Sequence, residues 1–145
     1  MIIGISGGAG FVGSALLKHL IKLDKVKEIR VIVNKTSIES NPKVRIIRVN
    51  LLDDNFQLFD FFKNLDVFFH CAAEIHNKDQ MYKLHVKSLQ KMLSQNKNIN
   101  LRWIQLSSVG VYGPIYENNV VEDTDFNPVN EYERTKAIAD KKNFI

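Results

Sequence analysis

The chain reads as an α/β protein built on a doubly wound parallel sheet. Three observations predict it: apolar strand-like runs alternate with helical patterns, a glycine-rich loop separates the first strand from the first helix, and such units follow one another along 145 residues with no linker or repeat. Strands separated by helices pair in parallel, and right-handed crossovers then lay helices on both faces of the sheet. All seven glycines fall in two stretches, Gly4 to Gly13 and Gly110 to Gly113. Glycine loses the most backbone freedom on folding, so this clustering marks places where the chain turns sharply or lies against a ligand.

Met1 to Ile5 is apolar and β-branched, as expected of a strand buried on both faces. Gly8-Ala9-Gly10-Phe11-Val12-Gly13 follows as G-x-G-x-x-G, and Gly7, Gly10 and Gly13 also give the G-x-x-G-x-x-G spacing. Phe11, Val12, Ala15, Leu16, Leu20 and Leu23 then recur at helical spacing, which makes this helix amphipathic. Ile29 to Val33 is the second strand and Val44 to Val49 the third. Asp54 to Lys63, with Phe56, Phe59 and Phe62, reads as a helix, and Asp66 to Cys71 as the fourth strand. A longer helix runs from Asp79 to Gln95 through Met81, Leu84, Leu89, Met92 and Leu93. Leu101 to Leu106 is the fifth strand, and a last helix begins near Glu131. Gly113 to Val129, with Pro114 and Pro128, is the longest loop and lies beyond the fifth strand, where such folds place function.

The opening loop carries the first chemical signal. After a strand and before a helix, one glycine permits the tight turn, another lets backbone approach a pyrophosphate, and a third lets helix and strand pack closely. The free N–H groups and the positive end of the helix then face the phosphates. In this context the motif points to a dinucleotide site, with Gly7, Gly10, Phe11, Val12 and Gly13 as candidate cofactor-binding residues.

Composition narrows the class. With 45% hydrophobic and 25% charged residues, the chain has the make-up of a globular domain with its own core. No apolar run approaches the roughly 20 residues that span a bilayer. No basic segment precedes a signal-type apolar stretch, and one cysteine allows no internal disulfide, so the expected compartment is the cytoplasm. The net charge of +4 is scattered among acids, which argues against a nucleic-acid face. None of the four histidines pairs with another His or Cys at metal-ligand spacing, so no metal is expected.

A second cluster, Ser107-Ser108-Val109-Gly110-Val111-Tyr112-Gly113, follows the fifth strand at the carboxyl end of the sheet. Tyr132-Glu133-Arg134-Thr135-Lys136 comes next, with Tyr132 and Lys136 at i and i+4 on one helix face. An ammonium beside a phenol favours the phenolate and lowers its pKa. Such a tyrosine exchanges a proton with a substrate hydroxyl while hydride passes to or from a nicotinamide, and a nearby serine hydroxyl orients the same oxygen.

On these residues the chain resembles the extended short-chain dehydrogenase/reductase family, the NAD(P)-dependent nucleotide-sugar epimerases and dehydratases typified by UDP-galactose 4-epimerase. The matching pieces are Gly7 to Gly13, Phe69-His70-Cys71-Ala72-Ala73, Ser107 to Gly113 and Tyr132 to Lys136. The resemblance implies a Rossmann fold. It also implies a substrate-orienting hydroxyl on Ser108, an acid/base at Tyr132, and Lys136 holding the nicotinamide ribose while tuning Tyr132. Ala72 and Ala73 would pass beside the cofactor, and Asn50 and Leu51 would border the adenine. Cys71 is read as packing rather than as a nucleophile. Family members form dimers through a helix bundle, a role open here to the helices from Asp79 and Glu131.

Departures from the family pattern matter as well. An NAD-specific fold usually ends its second strand with an acid that binds the ribose 2′-OH. Asn34 and then Lys35 stand here; Asn bonds a hydroxyl and Lys meets a 2′-phosphate, which leaves NAD versus NADP open with a slight tilt to NADP. His85-Val86-Lys87-Ser88 replaces the familiar Asn-Val-x-Gly. Val109-Gly110 stands where sugar 4,6-dehydratases resemble one another in carrying Asp-Glu, so epimerase or reductase chemistry is favoured over dehydration. Family members also continue well beyond the Tyr-Lys helix into a substrate-binding domain. Residues 1–145 are therefore expected to be the NAD(P)-binding domain alone, truncated after that helix and inactive by itself. Two further readings stay open: a non-catalytic dinucleotide-binding or redox-sensing module, and a reductase of a small non-sugar carbonyl.

Overall fold

The computed structural model describes residues 1–114 and 120–143; of the expected elements, 115–119 of the long loop and the last two residues lie outside it. Strands β1 (Ile2–Ser6), β2 (Glu28–Val33), β3 (Val44–Arg48), β4 (Val67–His70) and β5 (Arg102–Gln105) form one sheet in the order β3-β2-β1-β4-β5. Every neighbouring pair is parallel. Helices α1 (Phe11–Leu20), α2 (Phe59–Phe62), α3 (Lys78–Tyr82), α4 (Ser88–Gln95) and α5 (Glu131–Asn143) supply the covering layers. A π-helical turn, Lys83–Lys87, joins α3 to α4, and a 3₁₀ turn, Val109–Tyr112, follows β5. No helix among the described residues is long and apolar enough to cross a membrane.

The inner strands β1, β2 and β4 are mostly apolar because both faces of the sheet are covered there, and alternate residues serve alternate cores. Ile29, Val31 and Val33 of β2 pack with Ile3 and Ile5 of β1 against Leu17 and Leu20 of α1. Ile32, between them, turns the other way and joins Phe56, Leu58, Phe61, Phe62, Leu65, Phe68 and Met92. Each such side chain, fully buried, contributes roughly 1.5–3 kcal/mol. Trp103 of β5 meets Phe68 edge-on at 4.6 Å and lies near-parallel to Phe62 at 5.8 Å, which fastens the β4–β5 side of the sheet to α2.

Two elements differ from the sequence expectation. The helix expected over 54–63 shrinks to Phe59–Phe62. The reason lies in Gln95: its Oε1 accepts the Leu58 N–H at 2.6 Å and its Nε2 donates to the Phe56 carbonyl at 3.1 Å. The side-chain amide thus takes the backbone partners that a helix would have used. The helix expected over 79–95 is also not uniform. The Ser88 N–H donates to the Lys83 carbonyl, five residues back, and opens the wider turn in its middle. Strand ends otherwise agree to within one residue.

Candidate active site

The opening loop is shaped by contacts that admit only glycine. Gly7 has φ +68°, and a Cβ there would lie 2.7 Å from the Ala72 nitrogen. A Cβ on Gly13 would lie 2.2 Å from the Gly7 carbonyl oxygen, so the first turn of α1 sits directly on the loop. The Gly10 N–H donates to that same carbonyl at 2.9 Å and closes the turn. At the start of α1 no side chain caps the helix from Gly10 and no acid stands in the first turn. Its leading N–H groups therefore remain available to an anion.

Strand order sets the crevice. β2 and β3 lie to one side of β1, and β4 and β5 to the other, so the chain reverses direction across the sheet beside β1. Ligands of such sheets bind at the carboxyl ends of the strands at this reversal. A crevice of about 380 Å³ is found there. Gly7, Gly10, Asn34, Asn50, Leu51, Ala72 and Ala73, all expected cofactor residues, line it. Phe11, Val12 and Gly13 begin α1 beside it but do not line it, and Phe11 is almost fully exposed. Lys35 is exposed and is also absent from the lining, whereas Asn34 and Thr36 on either side are present. The crevice lining thus gives the tilt toward NADP no support. Thr36, Leu52, Glu74, Gln80 and Leu84 add to the lining unforeseen, as does Cys71. Burial raises the Cys71 thiol above its ordinary range, which keeps it protonated.

The three expected catalytic residues lie on the β5 side. Ser108 caps the 3₁₀ turn, its hydroxyl oxygen accepting the Gly110 N–H at 3.2 Å. Tyr132 and Lys136 lie one turn apart on α5. Lys136 is only 3% exposed, and its ammonium donates to the Leu106 carbonyl just past β5. Burial lowers the amine from its ordinary range, with the Asp140 carboxylate opposing. The expectation that Lys136 lowers the Tyr132 phenol is not met: the phenol is raised, first by burial and then by the Asp140 charge. The ammonium is aimed at a backbone oxygen, while a carboxylate stands one turn further along the same helix face.

Asp140 escaped the sequence reading although its spacing, two turns after Tyr132, was a usable signal. It is buried and accepts the Ser107 hydroxyl, which joins α5 to the second glycine cluster. Ser6 and His70 were missed for a different reason. They meet only because β1 and β4 pair in this register, with the Ser6 hydroxyl 2.5 Å from His70 Nδ1. The same hydroxyl accepts the Ala72 N–H at 3.3 Å and so steadies the crevice wall. Burial keeps His70 neutral, its pKa lowered to about 3.

Comparison with known proteins agrees with this geometry. The profile of the NAD dependent epimerase/dehydratase family matches residues 3–142. The low-salt glycan biosynthesis protein Agl12 of Haloferax volcanii is 27% identical over 151 residues, covering 94% of this chain and 48% of that protein. A probable dTDP-glucose 4,6-dehydratase of Sinorhizobium fredii is 26% identical, covering 97% and 47%. The crystal structure of UDP-glucuronic acid 4-epimerase from Bacillus cereus in complex with NAD superposes with a TM-score of 0.82 at 27% identity, over 99% of this chain and 52% of that one. The chain thus spans about half the length of the relatives it matches.

Proposed function

The chain belongs to the NAD dependent epimerase/dehydratase family, and on that footing we propose that it forms the cofactor-binding and catalytic part of an NAD-dependent enzyme that epimerises or reduces a nucleotide sugar. One observation carries the reading. The crevice beside β1 gathers residues from the opening loop and from the ends of β2, β3 and β4, while Lys136 anchors α5 at the end of β5. The parts present fit the cofactor. The uncapped start of α1 suits its diphosphate, Asn34 and Thr36 suit ribose hydroxyls, and Ala72-Ala73 offers backbone alongside. The solved UDP-glucuronic acid 4-epimerase in complex with NAD favours NAD over its phosphorylated form.

Bound NAD supplies the hydride acceptor. On the protein side, Tyr132 as its phenolate would take the proton of a sugar hydroxyl as its carbon is oxidised, and the resulting phenol would return it on re-reduction. The Ser108 hydroxyl orients the same oxygen. Lys136 would hold the nicotinamide ribose and support the phenolate. Val109 and Gly110 carry no carboxylate, so the residues that eliminate water in the 4,6-dehydratases have no counterpart on that turn. The test is titration of the full-length protein with NADH and NADPH, followed by nicotinamide fluorescence. Saturable NADH binding, tighter than NADPH binding, is the expected result; no binding of either overturns the reading.

A further inference from the structure

We propose that His85 is a positioning residue: as a neutral imidazole protonated on Nδ1, it couples the cofactor-lining backbone after β4 to the catalytic face of α5. The inference rests on the roles given above to Tyr132 and Lys136. His85 lies in the π-helical turn, where the resemblance leads one to expect Asn, and is only 2% exposed.

Its hydrogen bonds fix its protonation. The Glu74 N–H donates to Nε2 at 2.9 Å, so Nε2 carries a lone pair. The single ring proton therefore sits on Nδ1, which faces the Thr135 hydroxyl oxygen at 2.8 Å. Thr135 passes its own proton to the Glu131 carbonyl at 2.9 Å or the Tyr132 carbonyl at 3.0 Å. Donation runs one way, from Glu74 through His85 and Thr135 into α5. Each end matters. Glu74 continues the Ala72-Ala73 wall of the crevice, and Thr135 immediately precedes Lys136. The ring also meets the Tyr132 ring edge-on, centroids 5.5 Å apart and planes at 87°.

The link works in only one charge state. A second ring proton, on Nε2, would point at the Glu74 N–H, donor against donor. Burial first and Lys136 next oppose that proton, Glu74 and Glu131 favour it, and the balance lowers the pKa to about 4. A side-chain amide can replace the link, because it carries an acceptor oxygen and a donor NH2 on one carbon.

The experiment compares His85→Phe and His85→Asn in the full-length protein, reading NAD affinity and turnover, with nitrogen NMR of the wild-type imidazole. In His85→Phe, kcat falls and the Kd for NAD rises, together on the order of 10-fold to 100-fold, as small misplacements of reacting groups do. His85→Asn restores most of both, and the NMR signals report the Nδ1–H form. Wild-type affinity and turnover in His85→Phe, no recovery in His85→Asn, or an Nε2–H ring would each overturn the proposal. Failure of the wild-type protein to bind NAD would instead overturn the function proposed above, and the ring's protonation would still be read independently.

Discussion

Lys136 donates its ammonium proton to the Leu106 carbonyl, joining the second turn of α5 to the end of β5. The contact gives Lys136 a fixed address at the carboxyl edge of the sheet, and Leu106 is itself held there by donation from its N–H to the His70 carbonyl. Four consequences can be measured.

Tyr132→Phe removes only the phenol oxygen. Turnover of the full-length protein should fall on the order of 10²–10⁴-fold, the usual contribution of a positioned acid or base, with NAD affinity little changed. Steady-state kinetics beside a cofactor titration read this, and full turnover in the variant would remove Tyr132 from the mechanism.

Asp140→Asn keeps an acceptor for the Ser107 hydroxyl and removes a charge that raises the Tyr132 phenol. The phenol pKa should drop. Ultraviolet titration of the tyrosinate, or the basic limb of the pH–rate profile, should move to lower pH. A shift to higher pH would contradict the arrangement.

Gly110 and Glu133 share one space. A Cβ at position 110 would lie 2.8 Å from both Cγ and Oε1 of Glu133, while Oε2 accepts the Val129 N–H at 2.8 Å. Gly110→Ala should cost about 1–3 kcal/mol of stability, as overpacking does. Glu133→Ala in the same chain should recover most of that loss. Denaturation of the two single variants and the double variant measures the coupling, and strict additivity would refute it.

Acid should unfold the protein partly through two histidines. Unfolded, each charges near pH 6.5; folded, His70 and His85 resist the proton until about 3 and about 4. Between these values the unfolded chain binds more protons, so stability declines as pH falls from 6.5 toward 4 and then 3. His85→Asn should flatten the upper part of that decline in denaturant titrations at stepped pH. An unchanged slope would mean that the imidazole is already charged in the fold.

The sheet was legible because covering both faces demands long apolar runs such as Ile29 to Val33, broken only by Arg30, whose guanidinium donates to the carbonyls of Asp60, Phe61 and Lys63. The glycine loop was legible for a steric reason: Gly7 and Gly13 occupy positions that no side chain fits, and sequence records such positions directly. The short α2 was not, because Phe56, Phe59 and Phe62 keep helical spacing while Gln95, far along the chain, claims the backbone of Phe56 and Leu58. His85 stood out as a departure, yet its partners Glu74 and Thr135 could not be named, since a π turn shifts the facing of every residue after it. The direction in which the Tyr132 phenol is shifted was not legible, because a spacing of four fixes a shared face but not where an ammonium points.

The central strand β1 is also the first strand of the chain. It waits for Glu28 to Ile32 to pair on one side and for Val67 to His70 on the other. Contacts of such long sequence separation close slowly. On the ribosome, the opening glycine loop therefore gains its opposite wall only after β4 has been synthesised. An amide hydrogen on Gly4, which faces β4, should accordingly become protected from exchange late in refolding, in step with those of β4 rather than with those of α1.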